Sequence, residues 1–227
     1  MAESVPRWES ELWSCVCSSD GESCPRYNHF HSRHKGYLCP CNYLGHFRQL
    51  LDAKEFSPCN YDFVEHVENC KMLKLVEKLA NRYLDSSKID CPPFPTGLVS
   101  LFSEDLPIEV RLVPLRNHHG ATWHLDDSWI IQLSSNDIRN IQRLTLFHEA
   151  FHIIAHLRGT YVSMVSGNNR GPFTEMLAEH FSGCILMPMK WAREKWAETH
   201  DLDAIVEIFD VPKPLAYMRL KFLHAFA

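Results

Sequence analysis

The sequence predicts an α+β fold: a mainly helical domain at residues 71–227 with a small three-stranded antiparallel sheet. An irregular Cys/His-rich module precedes it at residues 1–70. Three observations lead there. Apolar residues recur at helical spacing near residues 71–84, 136–157 and 174–187, and again in the tail. Three short strand-like runs lie together between the first two of these helices. The texture also changes abruptly at Lys71, because seven of the nine cysteines fall between residues 15 and 70.

Taken in chain order, residues 1–70 are aromatic and rich in Cys and His, with short helices plausible only at 43–53 and 61–69. Met72, Leu75, Val76, Leu79 and Tyr83 then mark an amphipathic helix that must stop before Pro92-Pro93. A second short helix is expected at Thr96–Phe102. The strand-like runs are Ile108–Leu115, Gly120–Leu125 and Trp129–Ser134. Turn residues Asn117 to Gly120 and Asp126-Asp127 between them predict an antiparallel meander. Ile138, Ile141, Leu144, Phe147, Phe151 and Ile154 form the next helical stripe, from about 136 to 157. Ser135 or Asn136 can cap its start, and Gly159 follows its end. A loop rich in Gly and Asn, Arg158–Phe173, leads to a helix at Thr174–Met187 stopped by Pro188. That loop is equally well a cleft wall or a mere connector. Three short helices, separated near Asp201 and at Pro212, complete the chain.

Composition narrows the function classes. An apolar content of 45% is ordinary for a globular protein and allows a sizeable core. The net charge of −5 is spread evenly, with 11 basic and 13 acidic side chains in residues 1–95 and 12 and 15 in residues 96–227. No basic face follows from these totals, so direct nucleic-acid binding is not expected. No stretch approaches the roughly 20 apolar residues that span a bilayer, and the first 30 residues lack the layout of a signal peptide. No membrane partner and a cytoplasmic location are the expectation.

The chemistry concentrates at His148-Glu149-Ala150-Phe151-His152. On a helix, histidines four residues apart lie one turn apart on one face, so both imidazoles reach a single metal ion. Glu149, beside the first of them, can take a proton from water at the metal's open position. That is the arrangement of zinc peptidases. A catalytic zinc needs a third protein ligand. The metzincin solution is excluded, because Ala155 and Arg158 stand where it requires Gly and His. His156 continues the series but lies one helical pitch too far along the axis. Glu175, on the next helix, is the better ligand. Glu179, one turn further on the same face, can accept a hydrogen bond from a ligand histidine and set its tautomer.

Beyond these positions the chain resembles a known family. Thr174-Glu175-Met176-Leu177-Ala178-Glu179-His180-Phe181, followed by Ile185-Leu186-Met187-Pro188, is similar to the E-x-x-A-x-x-F…L-L-M-P signature of the ImmA/IrrE zinc peptidases. Trp129–Ser134 leading into Arg143–Glu149 fits the same family, as does Ile208–Val211 through Met218-Arg219-Leu220. The resemblance covers about residues 71–227. It implies a zincin-like peptidase domain, cytoplasmic and bacterial or phage-borne, that cleaves a helix-turn-helix transcriptional repressor. Glu179 departs from the pattern, standing where the family usually has Asn or Asp.

The expected site is therefore one Zn²⁺ on His148 Nε2, His152 Nε2 and Glu175, with Glu149 as general base. His180, Tyr161, Tyr217 and Arg219 are candidates by type for stabilising the oxyanion. The alternative is a non-proteolytic zinc-containing module that sequesters a regulator or toxin, though such a module has no need of Glu149. In residues 1–70, one or two structural zinc ions are expected among Cys15, Cys17, Cys24, Cys39, Cys41, Cys59, His66 and Cys70. Reduced, packed thiols are the other reading of the same residues.

Overall fold

A computed structural model describes residues 71–116, 118–158 and 172–223. The expected Cys/His-rich module, with Cys15, Cys17, Cys24, Cys39, Cys41, Cys59, His66 and Cys70, lies outside the described residues. So does most of the loop at 158–173.

The first helix, α1, spans Lys71–Ser87 and buries Leu75, Val76, Leu79, Ala80 and Leu84 along one face. Ser86 and Ser87 donate to the carbonyls of Tyr83 and Leu84, and Lys88 then takes a left-handed φ of 58° that ends the helix. A 3₁₀ helix, Thr96–Phe102, follows and buries Val99 and Phe102.

Strands β1 (Ile108–Val113), β2 (Gly120–His124) and β3 (Trp129–Ser134) form one sheet, but not the expected meander. Its order is β1-β3-β2, with β2 and β3 antiparallel and β1 parallel to β3. The central place goes to the most apolar strand. Trp129, Ile130, Ile131 and Leu133 are all buried, whereas β1 carries the exposed Glu109 and Arg111 and suits an edge. Ser134 N–H donates to the His119 carbonyl and Leu125 N–H to the Ser128 carbonyl. Antiparallel pairs alternate, so Ala121 and Trp123 also bond to β3, while the main-chain groups of Gly120, Thr122 and His124 point away from β3, toward an edge that no described strand covers.

Helix α2 runs from Arg139 to Arg158, three residues later than the stripe predicts. The residues expected to cap it are used otherwise. Asn136 donates from its side-chain amide to the Leu115 carbonyl, and Asp137 N–H closes a turn onto the Ser134 carbonyl. Ile138 is left 67% exposed and outside the core. From Arg143 to Ala155 every residue of α2 is buried, because the sheet covers one side and the 3₁₀ helix and α3 (Pro172–Leu186) cover the other. Phe94, Phe102, Phe147, Phe151 and Phe181 pack edge-on or tilted through this layer at centroid separations of 5.4 to 5.9 Å.

Three helices close the domain: α4 (Met189–Thr199), α5 (Leu202–Phe209) and α6 (Lys213–Phe222). Their breaks fall where expected. Asp201 caps α5 by accepting from Asp203 N–H, Asp210 ends it at φ 51°, and Pro212 precedes α6. Two buried arginines tie this tail to the centre. Arg143 donates from Nε to the Asp210 carbonyl and from Nη2 to the Phe94 carbonyl, each at 3.0 Å. Burial depresses its pKa, an effect the Asp210 carboxylate opposes. Arg219 donates to the Met187 carbonyl and to the Glu77 carboxylate on α1.

Candidate active site

Helical geometry sets His148 and His152 one turn apart, and α3 delivers Glu175 to the same point. The separations are 3.2 Å between the two Nε2 atoms, 3.2 Å from His148 Nε2 to Glu175 Oε2, and 3.4 Å from His152 Nε2 to Glu175 Oε1. A tetrahedral zinc with bonds of about 2.05 Å spaces its donors by about 3.3 Å, which is the spacing seen here. Two imidazoles and one carboxylate are also a donor set that zinc accepts. The residues present therefore fit the ion. Among the described residues they form the one group of three or more such side chains able to hold a metal.

Burial grades across the cluster. The histidine side chains are 4% and 5% exposed, whereas Glu175 is 28% exposed and marks the side that opens to solvent. Glu175 sits in the first turn of α3. Glu179, one turn further, is buried at 8%.

Glu149 is 2% exposed, and its Oε2 accepts a 2.7 Å hydrogen bond from Thr122 Oγ1 on β2. Sequence reasoning missed this partner. The one available signal was period two, which puts Gly120, Thr122 and His124 on one face of β2. Gly120 lets that face approach α2: a Cβ there would lie 2.5 Å from Thr145 Cγ2 and 3.3 Å from Glu149 Cγ. Further along the same face, the His124 ring lies 5.2 Å from that of His156, and Trp129 packs between strand and helix at 4.9 Å from His156. His156 is thus part of an aromatic group and not of the metal-ligand cluster. At the opposite end His119 Nδ1 pairs with Asp137 at 2.8 Å and ties together the loops flanking β2 and α2.

Two of the four oxyanion candidates have other employment. His180 Nε2 lies 3.5 Å from Cys184 Sγ, and Arg219 Nη1 contacts the same sulfur at 3.5 Å, in a core between α1, α3 and α6. Complete burial holds the His180 pKa down at about 3 and pushes the Cys184 thiol up to about 12. Both are inert at neutral pH. Tyr217 is half-buried on α6, and Tyr161 lies outside the described residues.

A helical layer over a small mixed sheet, with HExxH on the central helix and a glutamate on the next, defines a metallopeptidase domain. The family model described as the IrrE N-terminal-like domain, a peptidase family, matches residues 103–221, and the chain belongs to that family. The match begins after α1 and takes in the sheet, α2, α3 and nearly all of the tail. No curated protein matches the chain in sequence. No helix among the described residues is long and apolar enough to cross a membrane.

Proposed function

We propose that the chain is a zinc-dependent endopeptidase in which His148 Nε2, His152 Nε2 and Glu175 hold the ion and Glu149 is the general base. The observation that carries this reading is the set of donor separations, 3.2 to 3.4 Å, with a buried carboxylate beside them on the same helix turn. Bound zinc supplies Lewis acidity toward the scissile carbonyl and toward water. Glu149 takes the proton of the attacking water and delivers it to the leaving amine. Thr122 holds one oxygen of that carboxylate. Glu179 orients a ligand histidine from behind.

The open edge of β2 supports a protein substrate. Among the described residues nothing pairs with the outward main-chain groups of Gly120, Thr122 and His124, which can add an extended peptide as a further strand next to Glu149. By resemblance to the ImmA/IrrE peptidases, the substrate is a helix-turn-helix repressor in the cytoplasm. Residues 1–70 hold one or two structural zinc ions in a module of their own.

The test is Glu149→Gln. It retains the parental zinc content and loses on the order of 10²- to 10⁴-fold in cleavage of the partner repressor, the usual share of a general base. Chelation removes activity from the parent, and zinc restores it. Equal cleavage by variant and parent would sink the peptidase reading.

A further inference from the structure

Among the described residues the sheet has a second unpaired edge, on β1, and nothing in the peptidase reading uses it. In the parallel ladder Trp129 N–H donates to the Pro107 carbonyl and Ser135 N–H to the Val113 carbonyl. Glu109 and Arg111 therefore spend their main-chain groups on β3, and those of Ile108, Val110 and Leu112 point outward. The side chains on that edge are unusual for solvent. Val110 is 39% and Leu112 61% exposed, on the face that carries α2, which packs over β2 and β3. The opposite face carries Glu109 and Arg111, joined by hydrogen bonds of 2.8 and 2.7 Å.

We infer that β1 pairs antiparallel with β1 of a second copy of this chain, across a two-fold axis at Val110. Hydrogen-bond phase narrows the registers, and cross-strand charge selects this one among them. Hydrogen-bond phase demands that outward-facing residues oppose each other, and here Ile108 meets the partner's Leu112, while Val110 meets its own copy. The same register sets apolar residue against apolar residue along the exposed face. On the other face it sets Glu109 against the partner's Arg111 and Arg111 against the partner's Glu109, at the close, non-hydrogen-bonded positions. The two neighbouring registers that keep the hydrogen-bond phase place Glu109 opposite Glu109, or Arg111 opposite Arg111. Like charges directly opposite are unfavourable, so the five residues Ile108–Leu112 read as a self-complementary strand. Pro107 and Pro114 bracket it and stop the pairing from extending.

The product is a continuous six-stranded sheet of order β2-β3-β1-β1-β3-β2. Both β2 edges stay at its outer margins, so both active sites remain open to extended peptides. Pairing through one short strand makes a small interface, and dimerisation is weak and concentration-dependent.

A charge swap tests the register. Sedimentation of the full chain over rising concentration gives reversible dimer formation for the parent. Glu109→Arg places Arg opposite Arg, and Arg111→Glu places Glu opposite Glu, so each variant alone dimerises at least 10-fold more weakly. An equimolar mixture of the two restores parental association, because each Arg then meets a Glu. Both substitutions are at half-exposed side chains, and unchanged circular dichroism and thermal unfolding verify the fold. A parent that stays monomeric to its highest soluble concentration overturns the proposal, as it would if residues 1–70 cover the edge. Variants that dimerise like the parent, or a mixture that fails to recover, overturn it equally. None of these outcomes depends on peptidase activity.

Discussion

Gly120→Ala is the sharpest single test of how β2 is fitted to the catalytic helix. The new Cβ would lie 2.5 Å from Thr145 Cγ2, 3.1 Å from the Gln132 carbonyl oxygen and 3.3 Å from Glu149 Cγ. Carbon atoms in ordinary contact stand about 3.5 to 4.0 Å apart, so β2 must withdraw from α2 by about 1 Å. Gln132 belongs to the strand that pairs with β2, so the ladder itself limits how far the strand can turn. A withdrawal of that size takes the Thr122–Glu149 hydrogen bond from 2.7 Å to beyond bonding distance. Overpacking of this kind costs about 1 to 3 kcal/mol, which in a domain of this size lowers Tm by about 3 to 10 °C. Loss of a hydrogen bond to a buried carboxylate adds about 1.5 to 3 kcal/mol to the barrier, or about 10- to 100-fold in turnover. The assay is hydrolysis of a protein substrate that the parent cleaves and Glu149→Gln does not, with Tm measured alongside. Thr145→Ser removes the offending methyl group and keeps the hydroxyl, so the double variant recovers most of both losses. Parental Tm and turnover in Gly120→Ala, or no recovery in the double variant, would refute the close approach of β2 to α2.

Thr122→Val keeps the shape of the side chain but not its donor. It lowers kcat by about 10-fold or more with KM and zinc content little changed, and Thr122→Ser restores most of the rate; a Val variant at parental kcat refutes the contact. Arg143→Met strands the buried carbonyl of Phe94 and the part-buried carbonyl of Asp210 and destabilises the domain by about 2 to 4 kcal/mol, read as a fall in the denaturation midpoint. His180 makes stability depend on pH. Its folded pKa of about 3 lies below the ordinary value of 6.5, so the unfolded chain binds the extra proton first as pH falls. The His180 contribution is complete above pH 6.5 and declines by about 1.4 kcal/mol per pH unit on the way to pH 3. His180→Gln flattens that acid limb in equilibrium unfolding, and an unchanged slope argues against the burial.

What was legible in the sequence was local. Helical spacing and the punctuation at Pro188, Asp201 and Pro212 gave helices close to their observed bounds. The third member of the cluster was legible too: Glu175 is the next suitably placed carboxylate, and it lies with His148 and His152 in one group able to hold a metal ion. Strand order was not, since it is decided by which strand the folded chain buries along its whole length. The clue was present but comparative: Trp129–Leu133 is nearly uninterrupted apolar sequence, while β1 alternates Val and Leu with Glu and Arg. The helix start was misplaced for a similar reason, since Asn136 answers to Leu115, twenty-one residues away, and not to its own helix.

Thr122 was least legible, because its role depends on register and not on composition. Side chains of a strand alternate, so a slip of β2 by one residue against β3 would turn Ala121 and Trp123 toward Glu149 and carry Thr122 to the other face. Alanine and tryptophan cannot replace the hydroxyl, and the indole has no room where Gly120 now passes Thr145. The register is pinned instead at both ends of the strand. Leu125 N–H closes the turn onto the Ser128 carbonyl at one end, Ser134 N–H holds the His119 carbonyl at the other, and Trp123 Nε1 binds Gln132 between them. Each of them decides which atom stands beside Glu149, so the hairpin is as much a part of the site as the helix that bears the motif.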